Sequence, residues 1–228
     1  GDYISAIEWY HRTLESTTSS DGLCKLYYNL GNSYYRMASE LDDMDEVLGH
    51  LMMSKTMYRK VLNEKSEHVS AAINLELTRR LIVERKREQE ERDKREQELE
   101  AELEKIRQQL ITHIEEQSHI QKLTQSKIEQ FQIIASLSPQ QKVLSDKTLD
   151  TIDLYEALRK NFFKDAPPEA FPFAESREFT RAAEKDESQA SEDLLAQDHA
   201  VIKVQDSALD NLRKALAALD QDQNQSQS

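Results

Sequence analysis

The side chains of this sequence that could bind a metal or transfer protons are its histidines and its 43 acidic residues. The six histidines are His11, His50, His68, His113, His119 and His199. His113 and His119 fall on different sides of a helix, so they do not form a ligand pair. The sequence contains no His-Glu-x-x-His motif, Cys-x-x-Cys pair, EF-hand loop, Gly-rich phosphate loop or Gly-x-Ser-x-Gly elbow. It therefore predicts no catalytic residue, no metal site and no cofactor, and we expect the protein not to be an enzyme.

Composition predicts an all-α fold. Of the 228 residues 32% are charged and 38% hydrophobic, and there are four glycines and four prolines. So few turn-forming residues indicate a small number of long elements, and Glu, Gln, Lys, Leu and Ala are strong helix formers. We find no alternating β-branched strand. The expected fold is a truncated helix-turn-helix array that continues into a long charged helix and an antiparallel helical hairpin or three-helix bundle.

The charge balance narrows the possible partners. The formal net charge is −13, and by count residues 138–228 carry −7 of it. Nucleic-acid binding depends on phosphate neutralisation by Lys and Arg, so no nucleic-acid partner is expected. No apolar run approaches the roughly 18 residues that a transmembrane helix requires, so no membrane span is expected in this fragment. Cys24 is the only cysteine and is expected to be a small buried side chain.

The spacing of residues 27–34 is typical of a repeat. Tyr27, Leu30, Gly31 and Tyr34 follow the pattern W-x2-L-G-x2-Y that opens a tetratricopeptide (TPR) repeat. Leu30 and Tyr34 share a helix face with Tyr27. A glycine inside a helix costs roughly 1 kcal/mol relative to alanine. We therefore expect a neighbouring helix to pass Gly31 too closely for a side chain there.

Two further segments match the second helix of such a repeat. Ala6 and Tyr10 occupy its A-x3-F positions, and Ser54 and Tyr58 do so again. The chain is thus expected to begin in the middle of a repeat, whose other helix would lie upstream. Residues 1–82 are assigned to TPR-like repeats. The acidic stretch 40–49 is longer than a tight TPR turn and is expected to hold a short insertion.

The rest of the chain divides by composition. Residues 83–98 are predicted to form a solvated charged helix, since oppositely charged residues recur four apart. Residues 99–164 are predicted to form a helical hairpin that reverses at Ser138-Pro139, with Ser138 as helix cap and Gln141 completing a capping box. The apolar stripe before that reversal includes Ile128 and Phe131.

The C-terminal part begins with a Pro-rich linker, residues 165–176, which Phe171 and Phe173 are expected to attach to the bundle. A single C-terminal helix is predicted over residues 177–219. The Gln-, Ser- and Asp-rich residues 220–228 are predicted to be a disordered tail.

Three segments together resemble a bacterial family. Tyr-Asn-Leu-Gly-Asn-Ser-Tyr-Tyr at 28–35, Ala-Ile-Asn-Leu-Glu-Leu-Thr-Arg-Arg-Leu at 72–81 and the Glu/Arg/Gln-rich helix that follows are similar to TPR proteins of the Bat (aerotolerance) type. Proteins of that type are encoded with von Willebrand A domain proteins and MoxR ATPases. The resemblance implies a bacterial envelope scaffold in a periplasmic or membrane-associated location, with von Willebrand A domain proteins as partners.

Two functions remain open at this point. In the first, the chain is a non-enzymatic protein–protein interaction scaffold, in which a TPR head holds a partner and a long helical arm spaces or oligomerises it. The candidate partner-binding residues are Tyr27, Asn29, Asn32, Tyr35 and Arg36, although Tyr27 would also suit a core position. In the second, the chain is a structural coiled-coil or bundle subunit in which the TPR part is only a stabilising cap. The arm is also a possible route to a homo-oligomer.

Overall fold

The fold is all-α across the residues that the computed structural model describes, which are 2–127, 134–167 and 170–226. Seven helices are described there and no strand is. In chain order they are α1 Tyr3–Ser16, α2 Ser20–Ala38, α3 Met44–Glu64, α4 Val69–Lys127, α5 Ser138–Phe162, α6 Ala174–Ala196 and α7 Val201–Ser226. Ile128 and Phe131, which the sequence placed on an apolar stripe, lie outside the described residues.

Side-chain caps fix the starts of the first three helices. Asp2 accepts a hydrogen bond from the Ser5 amide at 3.1 Å, and Ser19 accepts one from the Gly22 amide at 3.2 Å. Asp43 caps α3 by accepting from the Glu46 amide at 2.9 Å. The prediction of an insertion at 40–49 was therefore largely wrong, since Asp43 starts a helix and only residues 39–43 are non-helical.

The chain divides into two compact units, Gly1–Arg95 and Glu96–Ser228, and α4 contributes residues to both. In the first unit, α2 packs against α1 and α3. Apolar residues of α2, α3 and α4 share two buried clusters. One contains Cys24, Tyr58, Val61, Ala71 and Leu75, and the other contains Ala38, Val47, Leu48, Leu51 and Ile82.

Helix α4 continues without interruption through the charged segment predicted at 83–98. The side chains of residues 90–98 are exposed. Ion pairs along the helix join Arg85 to Glu88 at 2.6 Å and Arg87 to Glu91 at 2.8 Å. Pairs of this kind each stabilise an exposed helix by about 0.2–0.5 kcal/mol, so local interactions maintain a segment that buries little apolar surface.

The second unit is built from the later part of α4 together with α5, α6 and α7. Its largest buried cluster draws on all four helices and on the two phenylalanines of the linker. The cluster contains Leu103, Ile106, Leu110, Tyr155, Leu158, Phe171, Phe173, Ala183, Leu212, Ala215 and Leu219. Phe171 and Phe173 are buried edge to face, with ring centroids 5.8 Å apart, as the sequence predicted for an attached linker. The neighbouring Pro168 and Glu169 lie outside the described residues.

The predicted capping box at the start of α5 is wrong. Leu137 is the N-cap residue and makes no side-chain cap bond, while Ser138 is the first helical residue. The Ser138 hydroxyl instead donates to the Ser191 carbonyl at 2.9 Å, because α6 packs directly against this end of α5. Gln141 is fully buried and donates to the Gln117 carbonyl oxygen at 2.6 Å. Both side chains therefore join helices and do not cap one.

The C-terminal helix predicted at 177–219 is two helices. Helix α6 ends at Gln197, whose φ of 60° is left-handed. The Asp198 amide closes this end on the Asp193 carbonyl at 2.9 Å, and α7 then packs back against α6. No glycine or proline marks the reversal. The chain reverses here because Leu194 of α6 and Val201 of α7 pack into one buried cluster.

The prediction of a disordered tail at 220–228 also differs from the structure. Helix α7 continues to Ser226, and residues 227–228 lie outside the described range. Asp220 accepts a hydrogen bond from the Arg107 guanidinium at 2.9 Å. This ion pair and the burial of Leu219 attach the end of α7 to α4.

Candidate functional site

A cavity of about 340 Å³ opens between three helices of the first unit. Helices α2, α3 and α4 all contribute to it. Its lining consists of Asn32, Tyr35 and Arg36 from α2, Tyr58 from α3, and Asn74 and Leu77 from α4.

Hydrogen bonds fix the two amide side chains of the cavity. Asn32 Oδ1 accepts from the Tyr58 hydroxyl at 2.7 Å and from Asn74 Nδ2 at 3.2 Å. Asn74 Nδ2 also lies 3.4 Å from the hydroxyl oxygens of Tyr28 and Tyr58. These bonds use one end of each amide. The other ends, Asn32 Nδ2 and Asn74 Oδ1, supply a donor group and an acceptor group, and a peptide group needs one of each in its partner.

Gly31 and Ser54 place the Tyr58 ring at the cavity. A Cβ atom on Gly31 would lie 2.7 Å from Tyr58 Cε1, so only glycine lets the ring lie against α2. The buried Ser54 hydroxyl donates to the Gly31 carbonyl at 2.8 Å and holds the two helices together. The close approach expected at Gly31 is thus present, and its partner is a ring of α3. Burial raises the pKa of Tyr58 to about 12, so the phenol remains a donor to Asn32 at neutral pH.

An exposed apolar stripe borders the cavity on α4. Val69, Ile73 and Leu77 recur every four residues on one face of the helix and are 69%, 54% and 51% exposed. Leu77 also lines the cavity. Apolar side chains grouped in this way next to hydrogen-bonding groups are typical of a protein interaction surface.

The structure brings together three of the five candidate residues. Asn32, Tyr35 and Arg36 line the cavity. Asn29 is exposed on α2 and is not among the lining residues. Tyr27 is half-buried between two apolar clusters, with Lys60 Nζ 5.0 Å from its ring centroid, so it occupies the core position that the sequence left open.

Three lining residues, Tyr58, Asn74 and Leu77, are not among the five candidates that the sequence offers. The sequence places Tyr58 only at an A-x3-F position, and Asn74 and Leu77 only within the segment 72–81. No spacing in the sequence marks Asn74 as a lining residue: the Asn-Leu pair at 74–75 also occurs at 29–30, where Asn29 does not line the cavity, and at 211–212 in the second unit. No pattern marks Leu77 either, whose role depends on its exposure.

The lining offers amides, phenols, one guanidinium and one apolar side chain, a set suited to binding. Within the described ranges no group of three or more His, Cys, Asp or Glu residues is placed to hold a metal ion. The histidines are scattered: His11 Nε2 lies 2.9 Å from the Tyr34 hydroxyl, and His113 Nε2 lies 2.9 Å from the Thr151 hydroxyl.

Among the described helices, none has an apolar stretch that could cross a bilayer. Comparison of the chain with protein-family models, curated proteins and solved structures gave no match.

Proposed function

We propose that this protein is a non-enzymatic interaction scaffold of the TPR type, in which the cavity of the first unit binds a segment of a partner protein. The observation that carries the proposal is the cavity lined by Asn32, Arg36 and Asn74, together with the exposed stripe Val69-Ile73-Leu77 beside it. Helices α1 to α4 supply the helix-turn-helix pairs of the array, with Gly31 and Ser54 at the close contacts that such pairs require.

The chemistry of the surface indicates what the bound segment looks like. Asn32 Nδ2 and Asn74 Oδ1 suit a main-chain peptide group. Leu77 and the stripe suit apolar side chains of the partner, and the exposed Arg36 suits an acidic group. The expected ligand is a peptide segment with an apolar side chain next to a carboxylate.

The wider setting is proposed from the resemblance to Bat-type proteins alone. It places the scaffold in a bacterial envelope-associated complex, periplasmic or membrane-associated, with von Willebrand A domain proteins as candidate partners. The second unit would act as a helical bundle that spaces the scaffold or joins copies of it.

A second candidate function is a structural bundle subunit for which the first unit is only a cap. The extensive core of the second unit favours it, since α4 to α7 and the linker phenylalanines share one buried cluster. This alternative assigns no ligand to the cavity.

Site-specific photo-crosslinking in the source cells tests the scaffold proposal. A photoreactive phenylalanine replaces Leu77 in one variant and Trp9 in the other. Trp9 is the control because it is 60% exposed in the same unit and does not line the cavity. We expect a discrete adduct to one protein from position 77 and none from position 9. Equal labelling from both positions, or labelling from neither, would support the cap function instead.

A further inference from the structure

The interior of the second unit contains a buried layer of polar side chains. Gln205 Nε2 donates to Thr124 Oγ1 at 3.2 Å and to Gln141 Oε1 at 3.0 Å. Gln141 in turn donates to Gln117 Oε1 at 2.6 Å. All four side chains are fully buried, and they connect α4, α5 and α7. Helix α6 contributes a different group to this interior, the carboxyl of Glu187.

Glu187 is fully buried, and neither of its carboxyl oxygens has a hydrogen-bond partner among the described residues. An isolated carboxylate in such a place is strongly disfavoured relative to its neutral form. Burial is accordingly the main cause that raises the pKa of Glu187 to about 8. The Thr148 hydroxyl of α5, which donates to the Leu144 carbonyl at 3.1 Å, lowers this pKa only in part.

The charged groups around Glu187 do not offset the free-energy cost of burying its carboxylate. On its own helix the neighbours are Glu184 and Asp186, and on α4 the neighbour is Glu116, and all three raise its pKa further. Lys147, the residue of α5 that precedes Thr148, is bound to Glu116 at 2.6 Å. On α7, residues 207–211 lie beside this part of α6, because Ser207 and Asn211 both donate to Asp186. The buried side chains of residues 207–211 are Ala208 and Leu209, and neither carries a charge.

Helix α6 is bounded by non-helical backbone at both ends. It follows the linker residue Phe173, whose side chain makes no cap bond, and it ends at the left-handed Gln197. Between these points its buried positions are mostly small, including Ser176, Ala183 and Ala190. Because α6 contributes little apolar surface per turn, we expect its packing against α5 and α7 to depend strongly on the protonation state of Glu187, the ionisable side chain that it buries.

We infer that Glu187 is a proton-controlled latch: with its proton bound it lets α6 close the second unit, and loss of that proton releases α6 from α5 and α7. The inference concerns a different unit from the cavity and does not depend on the proposed binding function. Release would uncover the buried faces of Ala190 and Leu194.

The direction of the effect follows from proton linkage. The closed form keeps the proton up to about pH 8, whereas a solvated glutamate loses it near 4.5. Opening therefore releases a proton between these two values, and the opening equilibrium rises about tenfold per pH unit in that window. Below pH 4.5 Glu187 is protonated in both forms and does not favour opening, and above about pH 8 the opening equilibrium stays at its highest value and no longer changes with pH.

Hydrogen–deuterium exchange of the full chain, resolved by peptide and corrected for the intrinsic exchange rate, measures this opening. From pH 5.5 to 7.5 we expect the opening equilibrium of α6 to rise about 100-fold in the wild type and to stay flat in Glu187→Gln. Glu192→Gln, which removes an exposed carboxylate of the same helix, should keep the wild-type slope.

Glu187→Leu provides a second uncharged variant in case the amide perturbs folding, and it should also give a flat profile. The inference is overturned if α6 exchanges with no pH dependence in the wild type. It is equally overturned if the slope persists in both variants at position 187.

Discussion

Between pH 5 and pH 8 the wild-type second unit should lose about 4 kcal/mol of unfolding free energy that the Glu187→Gln variant retains. The pKa of Glu187 is about 8 in the folded chain against 4.5 for the solvated group. Each unit of difference corresponds to about 1.4 kcal/mol. The contribution of Glu187 protonation to the free energy of unfolding is fully present below pH 4.5, because the side chain is then protonated in both the folded and the unfolded chain. This contribution is lost as the pH rises to 8.

Urea unfolding followed by circular dichroism at a series of pH values measures this loss. Glu192→Gln is the matched control, because its carboxylate is exposed and should leave the wild-type profile unchanged. Parallel profiles for the wild type and Glu187→Gln would contradict the prediction, because they would mean that the Glu187 carboxyl reaches solvent in the native state.

Gly31→Val should destabilise the first unit by about 3 kcal/mol. The added Cβ would lie 2.7 Å from Tyr58 Cε1 and 2.9 Å from Cδ1, before the two methyl groups are considered. The ring cannot easily move away, because Tyr58 is 2% exposed and its hydroxyl is bonded to Asn32. Urea unfolding followed by circular dichroism measures the change.

Gly49→Ala is the matched control for that substitution. Gly49 also lies inside a helix, but a Cβ there meets no atom within 4 Å. Alanine at this position should stabilise the unit by about 0.5–1 kcal/mol. Gly31→Ala adds only the Cβ that meets the Tyr58 ring, so it should destabilise the wild type, and this cost should disappear in a Tyr58→Ala background. If Gly31→Ala and Gly49→Ala stabilise the wild type equally, the close contact between α2 and α3 does not exist in solution.

Local chemistry made much of the fold predictable. Runs of strong helix formers indicated long helices, and a helix continues through the charged segment at 83–98 as expected. Gly31 was informative because a glycine in an otherwise favourable helix requires a packing reason. Phe171 and Phe173 were informative because they flank Pro172 in a segment that cannot be helical, and large apolar side chains in such a segment favour burial against the helices.

The parts that the sequence did not reveal depend on tertiary contacts. The reversal at Gln197 has no glycine or proline, and it occurs because α6 and α7 bury their faces against each other. Ser138 is a residue type that often caps helices, and it lies three residues before Gln141. Its hydroxyl instead donates to the Ser191 carbonyl of α6, a contact that depends on how α5 and α6 pack.

Glu187 lies in a polar run of α6, residues 184–193, which contains no large apolar side chain. Its spacing does contain a signal, since Ala183, Glu187, Ala190 and Leu194 follow steps of four, three and four and are all buried. The alanines weaken that apolar pattern, so it does not stand out from the surrounding charges.

Half of the lining of the candidate site was predictable from spacing within one helix. Asn32, Tyr35 and Arg36 belong to one helix and share a face, which spacing reveals. Tyr58, Asn74 and Leu77 join them only because α3 and α4 cross α2 at that point, which depends on packing between distant segments.

The central claim, that the cavity of the first unit binds a partner protein, is tested most directly by an affinity measurement. The protein captured by crosslinking at position 77 is titrated with three forms of the full chain. The forms are the wild type, the double variant Asn32→Ala/Arg36→Ala, and Asn29→Ala, with helicity checked by circular dichroism. We expect the double variant to bind at least tenfold more weakly, which corresponds to about 1.4 kcal/mol, and Asn29→Ala to bind like the wild type. Unchanged binding by the double variant, or an equal loss in Asn29→Ala, would contradict the assignment of the cavity as the binding site.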